Sequence, residues 1–354
     1  MQLPGTVEPS LYNFRFRLLM GAADVVAYTL LWMIVSRRRR AVAGIVAGTY
    51  VLTTVALEFV LFDRLDLLRL VFILAAFGTW LCAGDSPRAW AWRTAAYAAV
   101  GFGASYKVIP IVLLPLLVVS EARTVRRWAG LASRIGVCLL VMAAPFVLSY
   151  AGAGTATLAF LSYHASRGVE IGSTWATLMW LVSRGDDTLR IVAGSGSWEL
   201  AGGVGNLFAR LAPVVSMLFF AAMGVWAFAL GDRFDAERAY LQCLLVIAGA
   251  VLVLDVLSVQ YLLWALPVLM LAAVEVTGRT RPVVVIGLVC VIIAALTTVF
   301  FPLGMRYVVP LNPWVMSLLA VRNALYGGVV VWLVTRTIAV DRSRGRMARR
   351  HPAG

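Results

Sequence analysis

The chain has 354 residues, of which 62% are hydrophobic and 14% charged, with a mean hydropathy of +0.89. A soluble domain carries about 25% charged residues, so a water-soluble globular fold is excluded. The net charge of +14 does not point to nucleic acid, because the basic residues sit in short connections between apolar runs, where they set membrane orientation and meet anionic lipid.

The first residues, "MQLPGTVEPSLYNFRFR", lack the apolar h-region of a secretory signal. Eleven apolar segments follow, at 18–36, 41–61, 67–83, 90–106, 108–120, 135–151, 203–230, 239–257, 261–276, 283–301 and 314–338. Most have the length a helix needs to cross a bilayer. No alternating pattern of a membrane barrel is present. The expected fold is therefore all-α, a polytopic transmembrane helical bundle with about 10–11 spans. One integral-membrane domain is expected over 1–338, followed by a basic tail over 339–354. The segment at 108–120 is short for a span. Pro110 and Pro115 interrupt it, which predicts one half of a broken helix.

Lys and Arg alternate in density between successive connections. One set, running from Arg37–Arg40 to the tail after Arg336, holds twenty; the other, including Arg64, Lys107 and Arg167, holds ten, and Arg322 lies inside a span. The richer set is expected on the cytoplasmic side of a plasma membrane. That places the amino terminus and the long loop 152–202 outside, and the tail inside. "IGSTWATLMWLV" within this loop predicts a short helix, lying on the outer surface or re-entering between spans. Cys82, Cys138, Cys243 and Cys290 make no metal-binding or redox spacing and are read as small hydrophobes, so no metal site is expected.

Polar residues in such surroundings are costly and mark function by default. Lys107 is the only lysine, in "GFGASYKVIPIVLLP" at the junction of the fourth and fifth segments. A compact cation there suits phosphate, although a snorkelling lysine fits the same position. Asp66 opens the third segment, where an acid also favours a helix N-terminus, with Arg69 one turn on. Asp24 and Asp255 fall within spans. Gln260, Tyr261 and Trp264 form a polar and aromatic rim, or an interfacial aromatic belt. In the long loop, His164 (one of two histidines), Arg167 and Glu170 follow at three-residue intervals. Such a set can hold an anionic headgroup and a hydroxylated acceptor.

Several of these stretches, in this order, resemble the family-87 glycosyltransferases of the GT-C superfamily. "RLDLLRLVFIL" is similar to their Arg-Phe-Asp segment, "GASYKVIPIVLLPLLV" to their Lys-x-x-Pro segment, "YHASRGVEIGSTWA" to their external Tyr/Phe-His-x-x-Arg-Gly segment ending in Ser, and "SVQYLLWALPVL" to their Ser-Pro-Gln-Tyr segment. The resemblance covers residues 60–270, and the hydropathy match extends to 338. It implies transfer of a hexose, most often mannose, from a polyprenyl-phosphate donor to a glycolipid or glycan of the cell envelope on the outer face. It implies no cofactor. The candidate substrate and lipid-phosphate residues are then Asp66, Lys107, Tyr163, His164, Arg167, Glu170, Ser173, Gln260 and Tyr261.

The chain departs from the family at Val259, Gly172, Leu65 and Arg69. The family's catalytic Asp and Tyr-Pro-Pro of the first external loop are also missing: the only acid before the first span is Glu8. The expected plan has one more span upstream, so either the reading frame starts before Met1 or this is an inactive relative. No catalytic residue is assigned on sequence. The rival class is a secondary transporter or lipid flippase, which also uses broken helices and buried polar groups. No internal repeat supports it, and the polar residues gather toward one face.

Overall fold

The computed structural model describes residues 9–61, 64–84, 86–124, 128–159, 168–183, 186–194, 197–231, 234–308 and 310–350. The first helix, α1 (Pro9–Ala56), contains a reversal at Arg39, whose φ of −154° and ψ of 76° are not helical. Tyr50 donates a 2.5 Å hydrogen bond to Asp24, and the Tyr28 and Tyr50 rings lie 6.2 Å apart. A straight helix would separate residues 24 and 50 by about 39 Å, so α1 is two antiparallel arms.

A short α2 (Glu58–Leu61) precedes α3 (Asp66–Ala83) and α4 (Ala89–Tyr106). The expected broken helix is a 3-10 turn over Ile109–Leu113 that continues into α5 (Leu114–Thr124). Next come α6 (Trp128–Ala153), β1 (Val169–Glu170), α7 (Thr174–Val182), β2 (Arg190–Gly194) and β3 (Ser197–Ala201). The remaining helices are α8 (Gly205–Ala229), α9 (Ala236–Val253), α10 (Leu262–Thr277), α11 (Thr280–Thr298), α12 (Met305–Val308) and α13 (Pro313–Arg350). A 3-10 turn over Val259–Tyr261 leads into α10. The last helix runs through the basic stretch after 338 to Arg350.

Among the described residues, eight helices are long and apolar enough to cross a membrane, the doubled α1 counting as one of them. The chain is a multi-pass, all-α membrane protein. The centre of the bundle is α9 and α10, which are apolar all round, as expected for helices that meet protein on every side. Of the apolar stretch of α10, 72% of residues are buried, against 17% in α6 and in α8, which form the periphery. The outward faces of α6 (Leu140, Leu148) and α8 (Met217, Phe228) are apolar, as lipid contact requires.

Contacts sort the connections into two ends. At one, Arg38 binds Glu275 and Glu237, Arg238 binds Asp341, and the Trp80 indole donates to Ala236 O. Arg38 and Arg238 of the basic-rich set thus lie at this end, while Arg126, Arg127 and Arg233 of the same set lie outside the described residues. At the other end lie the start of α3, the α4–α5 link, the loop with β1–β3 and α7, and the 254–261 segment. The three strands form one antiparallel sheet in the order β1-β3-β2, with Glu170 opposite Glu199 and Ile191 opposite Leu200. Its apolar face (Val169, Leu200, Ile191) packs with α7, the start of α8 and the start of α13 as a second hydrophobic cluster.

A candidate ionic site at the loop-bearing end

Asp66 sits at the first turn of α3, where the free N–H groups of a helix favour a carboxylate. Its side chain is completely buried. Arg69, one turn on, places Nη2 3.2 Å from Asp66 Oδ1. Lys107 arrives from the other side. Gly103 packs so close to Phe72 and Pro110 that a Cβ there would meet both within 3.3 Å. This draws α3, α4 and the 3-10 turn together. With α4 ended before Pro110, Lys107 is extended and its Nζ donates to Asp66 Oδ2 at 2.7 Å. Burial lowers the Lys107 ammonium from the usual lysine value, and the Asp66 carboxylate opposes the fall.

Tyr261 closes the cluster. Its ring lies 5.1 Å from both Lys107 Nζ and the Arg69 guanidinium carbon, and 5.6 Å from the Trp264 ring. Two cations therefore share one carboxylate beside two aromatic faces, and the exposed Arg64 adds to the positive field. Trp264 is fully buried, so it is core to the site and not part of an interfacial belt.

Glu170 and Ser173 lie in a second group. Ser258 Oγ donates to the Glu170 carboxylate at 2.8 and 2.9 Å, and Glu170 N donates to Asp255 O. Ser173 Oγ accepts from Ala176 N as the N-cap of α7, a structural duty. Gly172 approaches Leu257 O so closely that a Cβ would stand 2.5 Å from it. The Trp175 indole donates to Val253 O at 2.8 Å. Underneath, Arg322 on α13 donates to Gly172 O, and the Asn323 amide donates to Ser173 O and Thr177 Oγ1. The loop helix is thus set into the bundle end among α8, α9 and α13.

The two groups are joined through the 254–261 segment, which contributes Ser258 to one and Tyr261 to the other. Gln260 is half-buried in the same 3-10 turn. Tyr163, His164 and Arg167 lie outside the described residues. Arg69, Arg322, Asn323 and Glu199 were not candidates on sequence. Arg322 carried a usable signal, a charge inside an apolar span. Glu199 carried none, since only the sheet register sets it opposite Glu170. Among the described residues, no three His, Cys, Asp or Glu side chains gather as metal ligands.

Fold and site together define a multi-pass membrane protein with a buried, cation-rich cluster at its loop-bearing end. No protein-family model, no curated protein and no solved structure matches the chain.

Proposed function

We propose that the protein is a GT-C-type membrane glycosyltransferase that takes a hexose, mannose first, from a polyprenyl-phosphate donor to an envelope glycolipid or glycan. In this reading the loop-bearing end faces outside the plasma membrane and the basic end the cytoplasm, by the twenty-to-ten distribution of Lys and Arg. The observation that carries the reading is the meeting of Asp66, Lys107 and Tyr261 from three distant stretches in one cluster with more cations than carboxylates. The chemistry asks for little more than positioning and charge. The acceptor hydroxyl attacks the sugar C1, its proton passes to a base, and the C1–O bond to the lipid phosphate breaks. Cations then hold the departing phosphate.

The test is sugar transfer by membranes containing the full reading frame, with a tritiated polyprenyl-phosphate mannose as donor. Lys107→Met should lower transfer about ten- to a hundredfold, and Lys107→Arg less. No transfer of mannose or glucose by the wild type would refute the reading. One observation favours the transporter alternative: Asp24, half-buried in a crossing arm, is bonded to Tyr50. Proton-coupled uptake abolished by Asp24→Asn in proteoliposomes would establish that alternative.

A further inference from the structure

Asp66, Lys107 and Tyr261 stand at one height in the bundle. Asp66 on α3 is fourteen residues from Trp80, Lys107 at the end of α4 is fourteen from Arg93, and Tyr261 before α10 is fourteen from Glu275. Trp80 donates to Ala236 O, Arg93 lies 5.9 Å from the Trp80 ring, and Glu275 binds Arg38, so the far residues share one level at the basic end. At 1.5 Å per residue, the cluster lies about 21 Å from that level. Glu237, beside Ala236, has a side chain 68% exposed, so the level is no deeper than the edge of the hydrocarbon. The hydrocarbon core is about 30 Å thick, which leaves the cluster about 9 Å or more inside its other edge. Helix tilt would only deepen it.

Lys107 is open to the outside at that depth. Its side chain is 35% exposed, and Asp66 takes only one of the three ammonium donors. Its neighbours Tyr106 and Val108 are 46% and 63% exposed, and Phe102, one turn earlier, is 44% exposed. The Phe72 ring stacks with Phe102 at 5.6 Å and with Tyr106 at 5.8 Å, so the rings form a ladder on α3 and α4. The exposed Arg64 precedes Asp66, and α2, which carries the exposed Glu58, packs against the 3-10 turn of Tyr261. Charges of both signs therefore border an exposed aromatic face within the hydrocarbon span. Pure hydrocarbon would leave the charges unsatisfied, and water would leave the rings wet. An amphiphile suits both. We infer that this edge of the bundle is a lateral portal by which a lipid-borne amphiphile of the loop-side leaflet reaches the Lys107–Asp66 pair, its chain along Phe102, Tyr106 and Val108 and its polar head among Arg64, Glu58 and Lys107. The portal does not rest on the transferase reading, and it would serve a flippase equally.

The test uses the purified full chain in phosphatidylcholine nanodiscs. In a cysteine-free background, nitroxides on Phe102→Cys and Val108→Cys should be relaxed by oxygen, which gathers in hydrocarbon, and shielded from a water-soluble nickel chelate. The same label on Asp187→Cys is the water-facing reference. Nickel access at either site equal to the reference would make the edge a water-filled recess and overturn the lateral route. The occupant is read with a benzophenone-tagged farnesyl phosphate in the same discs. Irradiation should label the tryptic peptide Thr94–Lys107 several-fold more than the peptide carrying Met217 and Phe228, an ordinary lipid-facing surface of α8. Tyr106→Ala should lower that labelling several-fold with the fold intact. Equal labelling of the two surfaces, or unchanged labelling in a folded Tyr106→Ala variant, would mean ordinary lipid contact and overturn the portal. The two readings fail separately. Selective labelling without sugar transfer retires the transferase and leaves the portal. Sugar transfer with equal labelling does the reverse.

Discussion

Asp66 is the shared counter-ion of two cations, so its removal should hurt more than the removal of Lys107, its partly exposed partner. Asp66→Asn keeps the side-chain shape and removes the charge. It leaves Arg69, 1% exposed, as an uncompensated buried cation. Breaking a buried ion pair in this way costs about 3–5 kcal/mol. Lys107 adds little to that cost, because at 35% exposure it can keep part of its hydration. Lys107→Met removes one charge-assisted hydrogen bond, worth about 1.5–3 kcal/mol, and the exposure puts it at the lower end. Asp66 keeps Arg69, so no buried charge is stranded. The expected gap is about 2 kcal/mol, with Asp66→Asn the less stable. The double variant should be about as unstable as Asp66→Asn alone, since Arg69 is stranded in both and the lysine no longer matters. Reversible SDS unfolding of the purified protein reads these differences, and detergent melting temperatures give the order independently. If Lys107→Met proves as damaging as Asp66→Asn, or if Asp66→Asn is neutral, the carboxylate is not the hub of the cluster.

Three further outcomes are expected. Gly101 lets α4 touch the α6 backbone, where a Cβ would stand 2.4 Å from Cys138 O, so Gly101→Ala should cost about 1–3 kcal/mol in the same unfolding assay; wild-type stability would show that α6 can shift freely. Asn323→Leu removes donors to Ser173 O and Thr177 Oγ1 and the acceptor of Arg322, so trypsin should cut faster at the exposed Arg190 of the loop it anchors, and an unchanged rate would detach the loop from this anchor. In a cysteine-free background, Asp187→Cys should react with an impermeant maleimide in intact cells, and Ser343→Cys only after permeabilisation. The opposite pattern would invert the orientation drawn from the basic residues.

The crossing helices were legible because the bilayer imposes a length and a composition on each of them. The reversal of α1 coincides with the Arg37–Arg40 run, where four charges cannot stay in hydrocarbon. The broken fifth segment followed from Pro110, which seeds a 3-10 turn. Asp66, Lys107 and Tyr261 stood out for a related reason: an ionisable or amphipathic residue at the edge of an apolar run has to be held by something. What escaped notice depends on long-range placement. Arg69 looked like ordinary helix support for Asp66, one turn away, and only the packing of α10 puts two aromatic rings against it. Arg322 and Asn323 hold a loop about 150 residues earlier in the chain, a distance no local pattern spans. Ser173 illustrates the opposite case, a motif residue whose hydroxyl is taken up by capping a helix.

A cation excess alone would not single out the Asp66 cluster, because the basic end offers a control with the same arithmetic. There Arg93 and Arg134 share the buried Glu121, again two cations on one carboxylate. Both of those arginines spend donors on it: Arg93 Nη1 bonds Oε1 at 3.2 Å and Arg134 Nε bonds Oε2 at 3.1 Å. Arg38 does so more fully, placing Nε, Nη1 and Nη2 on Glu275 and Glu237. These are structural clamps, with the geometry that makes a buried arginine tolerable. At the other end Arg69 Nη2 meets Asp66 Oδ1 at 3.2 Å as an ion pair without hydrogen-bond geometry, so both the guanidinium and that carboxylate oxygen are bonded less fully than in these clamps. Stability would favour the clamped arrangement found elsewhere in the molecule. The two ends therefore differ in how fully their buried ion pairs are hydrogen-bonded, and in the proposed transferase reading the looser pairing at the loop-bearing end leaves its cations able to turn toward a substrate phosphate.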